Sequence, residues 1–146
     1  MNYSQAEKFC EQAGGHLATL TSWRENLAVQ SILDDASYDE YWLGASDEEW
    51  EGSWKWTTGE AFDWTNWDDS QPDNYNGDED FLTIYSYYGS WNDRSADEED
   101  IGFVLEIDPV SEGSPSGEYD LLSDLVASGS HNCDIWKQLE DPYGNK

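Results

Sequence analysis

Basic residues are scarce in this chain: six lysines and arginines stand against 33 aspartates and glutamates, which gives a formal net charge of −27. A surface of that charge repels phosphate groups, so the composition excludes a nucleic-acid-binding protein and a protein that binds anionic membranes. Bound divalent cations or a salty medium would relieve the mutual repulsion of the acids. This favours an extracellular protein, although acidity alone is also typical of a halophilic cytoplasm.

Long apolar runs and cysteines are scarce as well. No stretch approaches the roughly 18 apolar residues that a membrane span needs, and no signal peptide is visible. We therefore expect no membrane insertion and interpret the chain as a piece of something longer. The two cysteines, Cys10 and Cys133, exclude a dense disulfide framework. Whether they pair with each other stays open, because distance in sequence says nothing about distance in space.

The first pattern that the chain does contain is that of two short helices near its start. The sequences SQAE at 4–7 and SWRE at 22–25 have the form of capping boxes, and Gly14 and Gly15 end the first helix. The acidic run at 34–40 is interpreted as a solvated connection. On the second helix the apolar residues predict the buried side, which would comprise Leu27, Ala28, Ile32 and Leu33.

Strand and loop signals occupy the middle of the chain. Apolar segments of strand length lie at Tyr41–Ala45, Trp54–Thr57, Phe81–Tyr85 and Ile101–Ile107. The second and third of these are separated by a long irregular loop, which is uncommon in a small domain unless the loop is functional. We expect one domain over residues 1–108. Residues 109–146 would form a linker and tail that docks back on this domain or belongs to a neighbouring one.

Side-chain oxygens crowd both ends of the stretch from Gln71 to Asp93. Residues 71–80 supply most of them, and Asn92 and Asp93 supply the rest beyond the apolar run at 81–85. Carboxylates and carboxamides, without histidine or cysteine among them, are the ligands that a hard cation such as calcium prefers. If the apolar run is a strand, it brings the two clusters together, and the stretch predicts a calcium site.

The motifs and their order resemble those of the C-type lectin-like domain. Two helices precede a Trp-Leu-Gly strand at 42–44, a Gln-Pro-Asp triplet at 71–73 and a Trp-Asn-Asp triplet at 91–93, and the likeness extends from Tyr3 to Ile107. The resemblance implies an α+β, C-type lectin-like fold. That fold has two short helices and a small, mostly antiparallel sheet with a long calcium-binding loop.

The resemblance also implies one principal calcium ion and a second, structural one. The peptide bond before Pro72 would be cis, and Asn74 stands where many relatives have aspartate, which leaves the second site one charge poorer. The principal ion would be held by Gln71, Asp73, Glu79, Asn92 and Asp93. The second ion would be held by Asp47, Glu51, Asn74, Glu79 and Asp80.

The sequence departs from the family pattern in its cysteines. The resemblance implies an outer disulfide from Cys10 to the position of Val104 and an inner one from Phe81 to Ala96, and neither can form. Such cysteine-poor domains resemble modules of bacterial surface proteins and adhesins. The strand that usually precedes the first helix is also missing, so either the tail takes its role or the edge of the sheet is open.

The function that the resemblance implies is calcium-dependent carbohydrate binding for adhesion at the cell surface. Gln-Pro-Asp implies galactose or N-acetylgalactosamine, but the loop lacks the family's Gly-rich insertion, so fucose-containing glycans stay open. The partners would be cell-surface glycans, bound by an extracellular module of a larger protein. The alternative is a calcium-stabilised module that binds protein or peptide. No separate acid/base pair indicates an enzyme. The sugar would contact Gln71, Asp73, Tyr75, Glu79, Asn92 and Asp93.

Overall fold

The two predicted helices are present at the start of the chain. The computed structural model describes residues 1–33 and 37–108, together with the backbone of 133–138. Helix α1 spans Tyr3–Gln12 and α2 spans Trp23–Leu33. The first capping box lies two residues earlier than predicted, because Asn2 is the N-cap and exchanges hydrogen bonds with Gln5 at 2.9 and 3.0 Å. For α2, the Ser22 hydroxyl accepts from the Glu25 N–H at 3.2 Å, as the sequence predicts.

The buried side of α2 agrees only in part with the predicted one. Leu33 is buried, but Leu27 and Ile32 are 48% and 41% exposed. The buried line instead contains Asn26, whose side chain donates to the Gly89 carbonyl at 2.8 Å and accepts from the Trp91 indole at 2.7 Å. A carboxamide can be buried when both of its ends are hydrogen-bonded, because no polar atom is then left without a partner. The prediction is therefore confirmed for Leu33 and for Ala28, which packs partly buried against the core, and is wrong for Leu27 and Ile32.

The strands are β1 (His16–Leu17), β2 (Glu40–Ser46), β3 (Lys55–Trp56), β4 (Phe81–Tyr85), β5 (Trp91–Arg94), β6 (Gly102–Ile107) and β7 (Cys133–Gln138). They form one sheet in the order β1-β6-β2-β4-β5, with β3 paired to β2 and β7 paired to β6. The pairs β2–β6 and β6–β7 are parallel, and the other pairs are antiparallel, so the sheet is mostly antiparallel as predicted. The sequence treated the Trp-Asn-Asp triplet only as a ligand motif, whereas it is part of a strand.

Aromatic packing holds the long loop between β3 and β4. Trp91 is fully buried and makes edge-on ring contacts with Trp56, Trp64 and Trp67 at centroid distances of 5.6, 5.6 and 5.8 Å. Phe62 stacks over Trp54 at 6.4 Å. Each such ring pair contributes about 0.5–1.5 kcal/mol beyond its buried area. The loop is thus anchored to the sheet by rings, although it has little regular secondary structure.

The residue opposite Cys10 differs from the expected one. Cys10 is buried in a hydrophobic cluster that includes Leu105, whereas Val104 belongs to the cluster on the other side of the sheet. Successive residues of a strand point to opposite faces, so the one-residue offset changes the side. The expectation for Val104 was therefore wrong. Phe81 and Ala96 both pack against the Cys10 cluster, as expected for an apolar pair.

Part of the tail returns to the sheet. Strand β7 runs parallel to β6, with Phe103 paired to Cys133 and Leu105 paired to Ile135. The side chain of Cys133 lies outside the described residues, and the question of a pair with Cys10 stays open. Residues 109–132 and 139–146 lie outside them too, and the domain boundary at 108 stays a prediction. Within the described ranges, no helix is long and apolar enough to cross a membrane.

Candidate functional site

The loop that follows Trp67 runs beside the outermost strand of the sheet. Trp67 bridges in parallel to Trp91, and the N–H of Asp68 donates to the Trp91 carbonyl at 2.8 Å. Three residues later the Gln71–Pro72 peptide bond is cis, as the resemblance implied. The residues after Pro72 lie against the middle of β5, where the N–H groups of Asp73 and Asn74 donate to Asp93.

Three of the predicted principal ligands come together at this place. Asp73, Glu79 and Asp93 each offer a carboxylate oxygen, and these oxygens all lie within 4.8 Å of one another. Asp93 is buried, and its two oxygens accept from the N–H groups of Asp73 at 3.2 Å and Asn74 at 2.7 Å. The Glu79 carboxylate accepts from the N–H of Tyr75 at 3.2 Å. The loop backbone thus holds the carboxylates in place.

The two predicted carboxamide ligands are also enclosed. The Gln71 side-chain oxygen is buried and accepts no hydrogen bond. A buried polar atom without a partner costs about 1–3 kcal/mol, which a bound cation would offset. Asn92 is buried, and its side-chain nitrogen donates to Glu40 at 3.2 Å.

The electrostatics of this group favour a bound cation. Burial, and then the charge of Asp93, raise the pKa of Glu79 to about 7. Burial also raises the pKa of Asp93, although hydrogen bonds from backbone N–H groups act in the opposite direction. Carboxylates so close together resist ionisation in the absence of a positive charge between them. A divalent cation would supply that charge.

A second carboxylate group corresponds to part of the predicted second site. Asp47, Glu51 and Asp80 offer oxygens within 4.8 Å of one another. Burial raises the pKa of Asp47 and of Asp80, with neighbouring carboxylates adding to the effect. One oxygen of Asp47 accepts from the Gly52 N–H at 2.7 Å, and the other is buried without a partner.

The remaining two residues predicted for the second site are placed differently. Glu79 belongs to the carboxylate group with Asp73 and Asp93, and the group around Asp47 does not include it. The Asn74 side-chain oxygen accepts from the Glu79 N–H at 2.9 Å and so closes the loop between them. Through this hydrogen bond, Asn74 helps to hold Glu79 in the group with Asp73 and Asp93.

The donor set decides which ion the two groups suit. All donors are oxygens of carboxylates or carboxamides, which match a hard cation such as calcium and not a metal that prefers sulfur or imidazole. The orphaned oxygens of Gln71 and Asp47 lie one in each of the two predicted ligand sets. The residues present therefore fit calcium.

A family model described as the Lectin C-type domain matches residues 1–102. The chain belongs to the C-type lectin domain family. This lectin domain is similar to the C-type lectin BpLec of the snake Bothrops pauloensis, with 34% identity over 98 residues that cover 63% of this chain and 73% of the relative.

Solved structures show how widely the fold is used. The mouse scavenger receptor C-type lectin carbohydrate-recognition domain is 35% identical, with a TM-score of 0.60, over 66% of this chain and 73% of the other. A calcium-independent type II antifreeze protein is 27% identical, with a TM-score of 0.57, over 66% and 71% of the two chains. A shared fold does not fix the ligand, so the function of this lectin domain is argued from its own residues.

Sequence reasoning missed two residues beside the site of this lectin domain. Glu40 was assigned to a solvated connection, but it opens β2 and is only 5% exposed. Its carboxylate faces Arg94, whose Nε lies 3.1 Å from both of its oxygens. The one available signal was an arginine directly after the Trp-Asn-Asp triplet, a position from which a cation can reach a buried acid.

Proposed function

We propose that this lectin domain binds carbohydrate through a calcium ion held by Gln71, Asp73, Glu79, Asn92 and Asp93. The observation that carries the proposal is the side-chain oxygen of Gln71, which is buried without a hydrogen-bond partner. Gln71 directly precedes the cis Pro72 and stands two residues before Asp73, a member of the cluster of three carboxylates. Calcium accepts six to eight oxygens, so a site with about six protein donors leaves room for two ligand hydroxyls.

The roles of the side chains follow from their chemistry. When bound, the ion would supply a positive charge that hydroxyl oxygens of a sugar can coordinate. Asp73 and Glu79 can accept hydrogen bonds from the same hydroxyls, and the amides of Gln71 and Asn92 can donate to them. Hydrogen bonds to ionised groups are roughly twice as strong as neutral ones, so the ionised carboxylates contribute most to orientation.

The preferred sugar is proposed from the order of the triplet and from Tyr75. The order Gln71-Pro72-Asp73 resembles that of galactose-type members of the family, and we propose galactose or N-acetylgalactosamine as the ligand. Tyr75 is 65% exposed at the start of a short 3-10 turn, Tyr75–Gly77, where its ring can stack on the apolar face of a pyranose. Fucose-containing glycans are the second candidate, because the loop lacks the family's Gly-rich insertion.

The proposed setting is adhesion at a cell surface. A single shallow site binds a monosaccharide in the millimolar range, near −4 kcal/mol, so adhesion needs several copies. The domain would act as an extracellular module of a larger protein and would not be an enzyme. The expectation of a bacterial adhesin rests on the scarcity of cysteine alone, because the named relative comes from a snake.

A glycan array with and without calcium tests the proposed function. We expect galactose-terminated or fucose-containing glycans to bind in millimolar calcium and to be released by a chelator. An Asp93→Asn variant, which removes a buried carboxylate of the site, should lose this binding. Binding that is equal in calcium and in chelator would contradict the proposal.

The second candidate function is a calcium-stabilised module that binds protein or peptide. Exposed rings outside the acidic groups favour it, since Tyr87 and Tyr88 are 73% and 69% exposed at the turn between β4 and β5. Exposed aromatic residues are typical of protein interfaces. Competition distinguishes the two candidates, because free galactose would displace a glycan at the calcium site and would leave a peptide on the tyrosines in place.

A further inference from the structure

The carboxylate of Glu40 is the point where three neighbouring strands meet. Glu40 lies on β2, Thr83 on β4, and Asn92 and Arg94 on β5. Glu40 accepts from the Thr83 hydroxyl at 2.7 Å, from the Asn92 side-chain nitrogen at 3.2 Å and from Arg94 Nε at 3.1 Å. Thr83 and Asn92 are direct partners across β4 and β5, so all these side chains share one face of the sheet.

The chemistry of this contact fixes the orientation of the Asn92 side chain. A carboxylate only accepts hydrogen bonds, and of the two ends of a carboxamide only the nitrogen donates. The nitrogen of Asn92 must therefore face Glu40, and its oxygen must face away from the buried acid. An amide without such a partner can present either end, because oxygen and nitrogen have nearly the same shape.

Arg94 makes a buried negative charge tolerable at this position. Glu40 is 5% exposed, and an uncompensated buried charge would be strongly destabilising. The Arg94 guanidinium forms a bidentate contact with both oxygens of Glu40. With Thr83, Asn92 and Arg94 as its donors, Glu40 is committed within the sheet rather than to a cation in the loop.

We propose that Glu40 is a positioning residue for the ion site, acting through Asn92. It holds the carboxamide with its oxygen toward the ion and one of its two N–H bonds toward Glu40, which leaves a single N–H for a sugar hydroxyl. The inference rests on the proposed function, in which Asn92 is a ligand. Partners of metal ligands beyond the ligands themselves typically change metal affinity about tenfold to a hundredfold when they are altered.

Glu40→Gln is the first test. Glutamine has the same shape, but only its oxygen can accept from Arg94, so its nitrogen faces Asn92 and reverses the carboxamide. We expect the calcium Kd to weaken about tenfold to a hundredfold by titration calorimetry, in protein that still melts cooperatively in chelator. Glu98→Gln is the matched control, since Glu98 lies 3.9 Å from Arg94 and is part of the exposed surface.

Rescue separates an oriented amide from a general structural effect. In Glu40→Gln with Asn92→Asp, one oxygen of the new aspartate can accept from the glutamine nitrogen while the other faces the ion. We expect this double variant to recover a calcium Kd within about threefold of the unaltered protein, whereas Asn92→Asp alone, in which the new carboxylate faces that of Glu40, should bind calcium more weakly than the double variant.

A spectroscopic measurement without calcium completes the test. The side-chain N–H signals of Asn92, assigned by their loss in Asn92→Asp, should shift in Glu40→Gln and stay in place in Glu98→Gln. An unmoved signal, an unchanged Kd in Glu40→Gln, or a failed rescue would each overturn the inference. Absence of calcium binding by the unaltered protein would instead overturn the proposed function.

Discussion

Glu79 and Asp93 hold their carboxylate oxygens within 4.8 Å of each other, in a group that Asp73 completes. The two acids reach this place from different elements, because Glu79 precedes β4 and Asp93 lies within β5. Burial and the neighbouring charge of Asp93 raise the pKa of Glu79 to about 7. Under neutral conditions a proton therefore competes with calcium for the Glu79 carboxylate, and that competition has measurable consequences.

Calcium affinity should fall as the pH falls below about 7. Calcium needs the ionised form of Glu79, so binding in acid must release the proton. For one released proton and a pKa of about 7, the apparent affinity falls about fivefold between about pH 7 and pH 6, and about tenfold per pH unit below that. Calorimetry in buffers of different ionisation enthalpy would measure the released proton directly. Affinity that is constant from about pH 5.5 to pH 7.5 would contradict this assignment of Glu79.

The stability of the calcium-free protein should fall as the pH rises, whereas the calcium affinity should rise. The pKa of Glu79 is higher in the folded state than its ordinary value of 4.5, so the folded state binds the proton more tightly. This contribution is complete below about pH 4.5 and is lost as the pH rises through about 7. We expect Glu79→Gln to remove this part of the pH dependence and to melt at a higher temperature than the unaltered protein above pH 7.

Calcium should stabilise the fold by an amount that rises with the logarithm of its free concentration once that concentration exceeds the Kd. Binding to the folded state alone contributes about 2.7 kcal/mol when free calcium is a hundredfold above its Kd. Thermal melting in calcium, in magnesium and in chelator would measure the effect, and magnesium serves as the control because it demands a smaller, more regular shell. Identical melting curves in calcium and chelator would contradict the metal site.

The order of the triplet should determine the type of sugar. Gln71→Glu with Asp73→Asn keeps the number of side-chain oxygens that can face the ion while exchanging the positions of amide and carboxylate. We expect preference to move from galactose toward mannose, because the donors and acceptors around the hydroxyls are exchanged. A glycan array of the double variant beside the unaltered protein would measure the change, and an unaltered ranking would show that the triplet does not set specificity.

Tyr75 should contribute to sugar binding without contributing to stability. Its ring is 65% exposed, so Tyr75→Ala removes a stacking surface and few packing contacts. We expect galactose affinity to fall about fivefold to tenfold, or roughly 1–1.4 kcal/mol, with an unchanged melting temperature. Tyr87→Ala is the matched control, because Tyr87 is 73% exposed and lies on the turn between β4 and β5. Equal affinities of both variants would exclude the platform role of Tyr75.

The sequence indicated the helices and most of the strands because their apolar residues follow the periods of these elements. It failed where a polar residue is buried. Asn26 and Glu40 look solvated in sequence, yet partners 65 and 54 residues away along the chain satisfy them, Trp91 and Arg94 respectively. Local pattern carries no information on such distant pairs. The first pair places Asn26 on the buried side of α2, and the second is part of the hydrogen-bond network that includes Asn92.

The site itself was more accessible to sequence reasoning than the packing around it. The carboxylates of Asp73, Glu79 and Asp93 lie close together, as the resemblance implied, and their role as calcium ligands stays a proposal. The assignment of Val104 to the disulfide position failed by one residue, and one residue on a strand changes the face. Motifs therefore indicated which carboxylates lie close together, but alternation along a strand makes side-chain neighbours sensitive to any offset.

The position of Ala18 links the beginning of the domain to its last fully described strand. Its N–H donates to Val104 at 3.0 Å and its carbonyl accepts from Gly44 at 2.9 Å, so the backbone after β1 lies between β6 and β2. The contact between Ala18 and Val104 spans most of the domain in sequence, and long-range contacts of this kind slow folding because a large loop must close first. During synthesis, the sheet cannot close until β6 has left the ribosome. The acidic loop and β5, which carry Asp73, Glu79 and Asp93, leave the ribosome before β6, so the groups that would hold calcium are all made before the sheet can close.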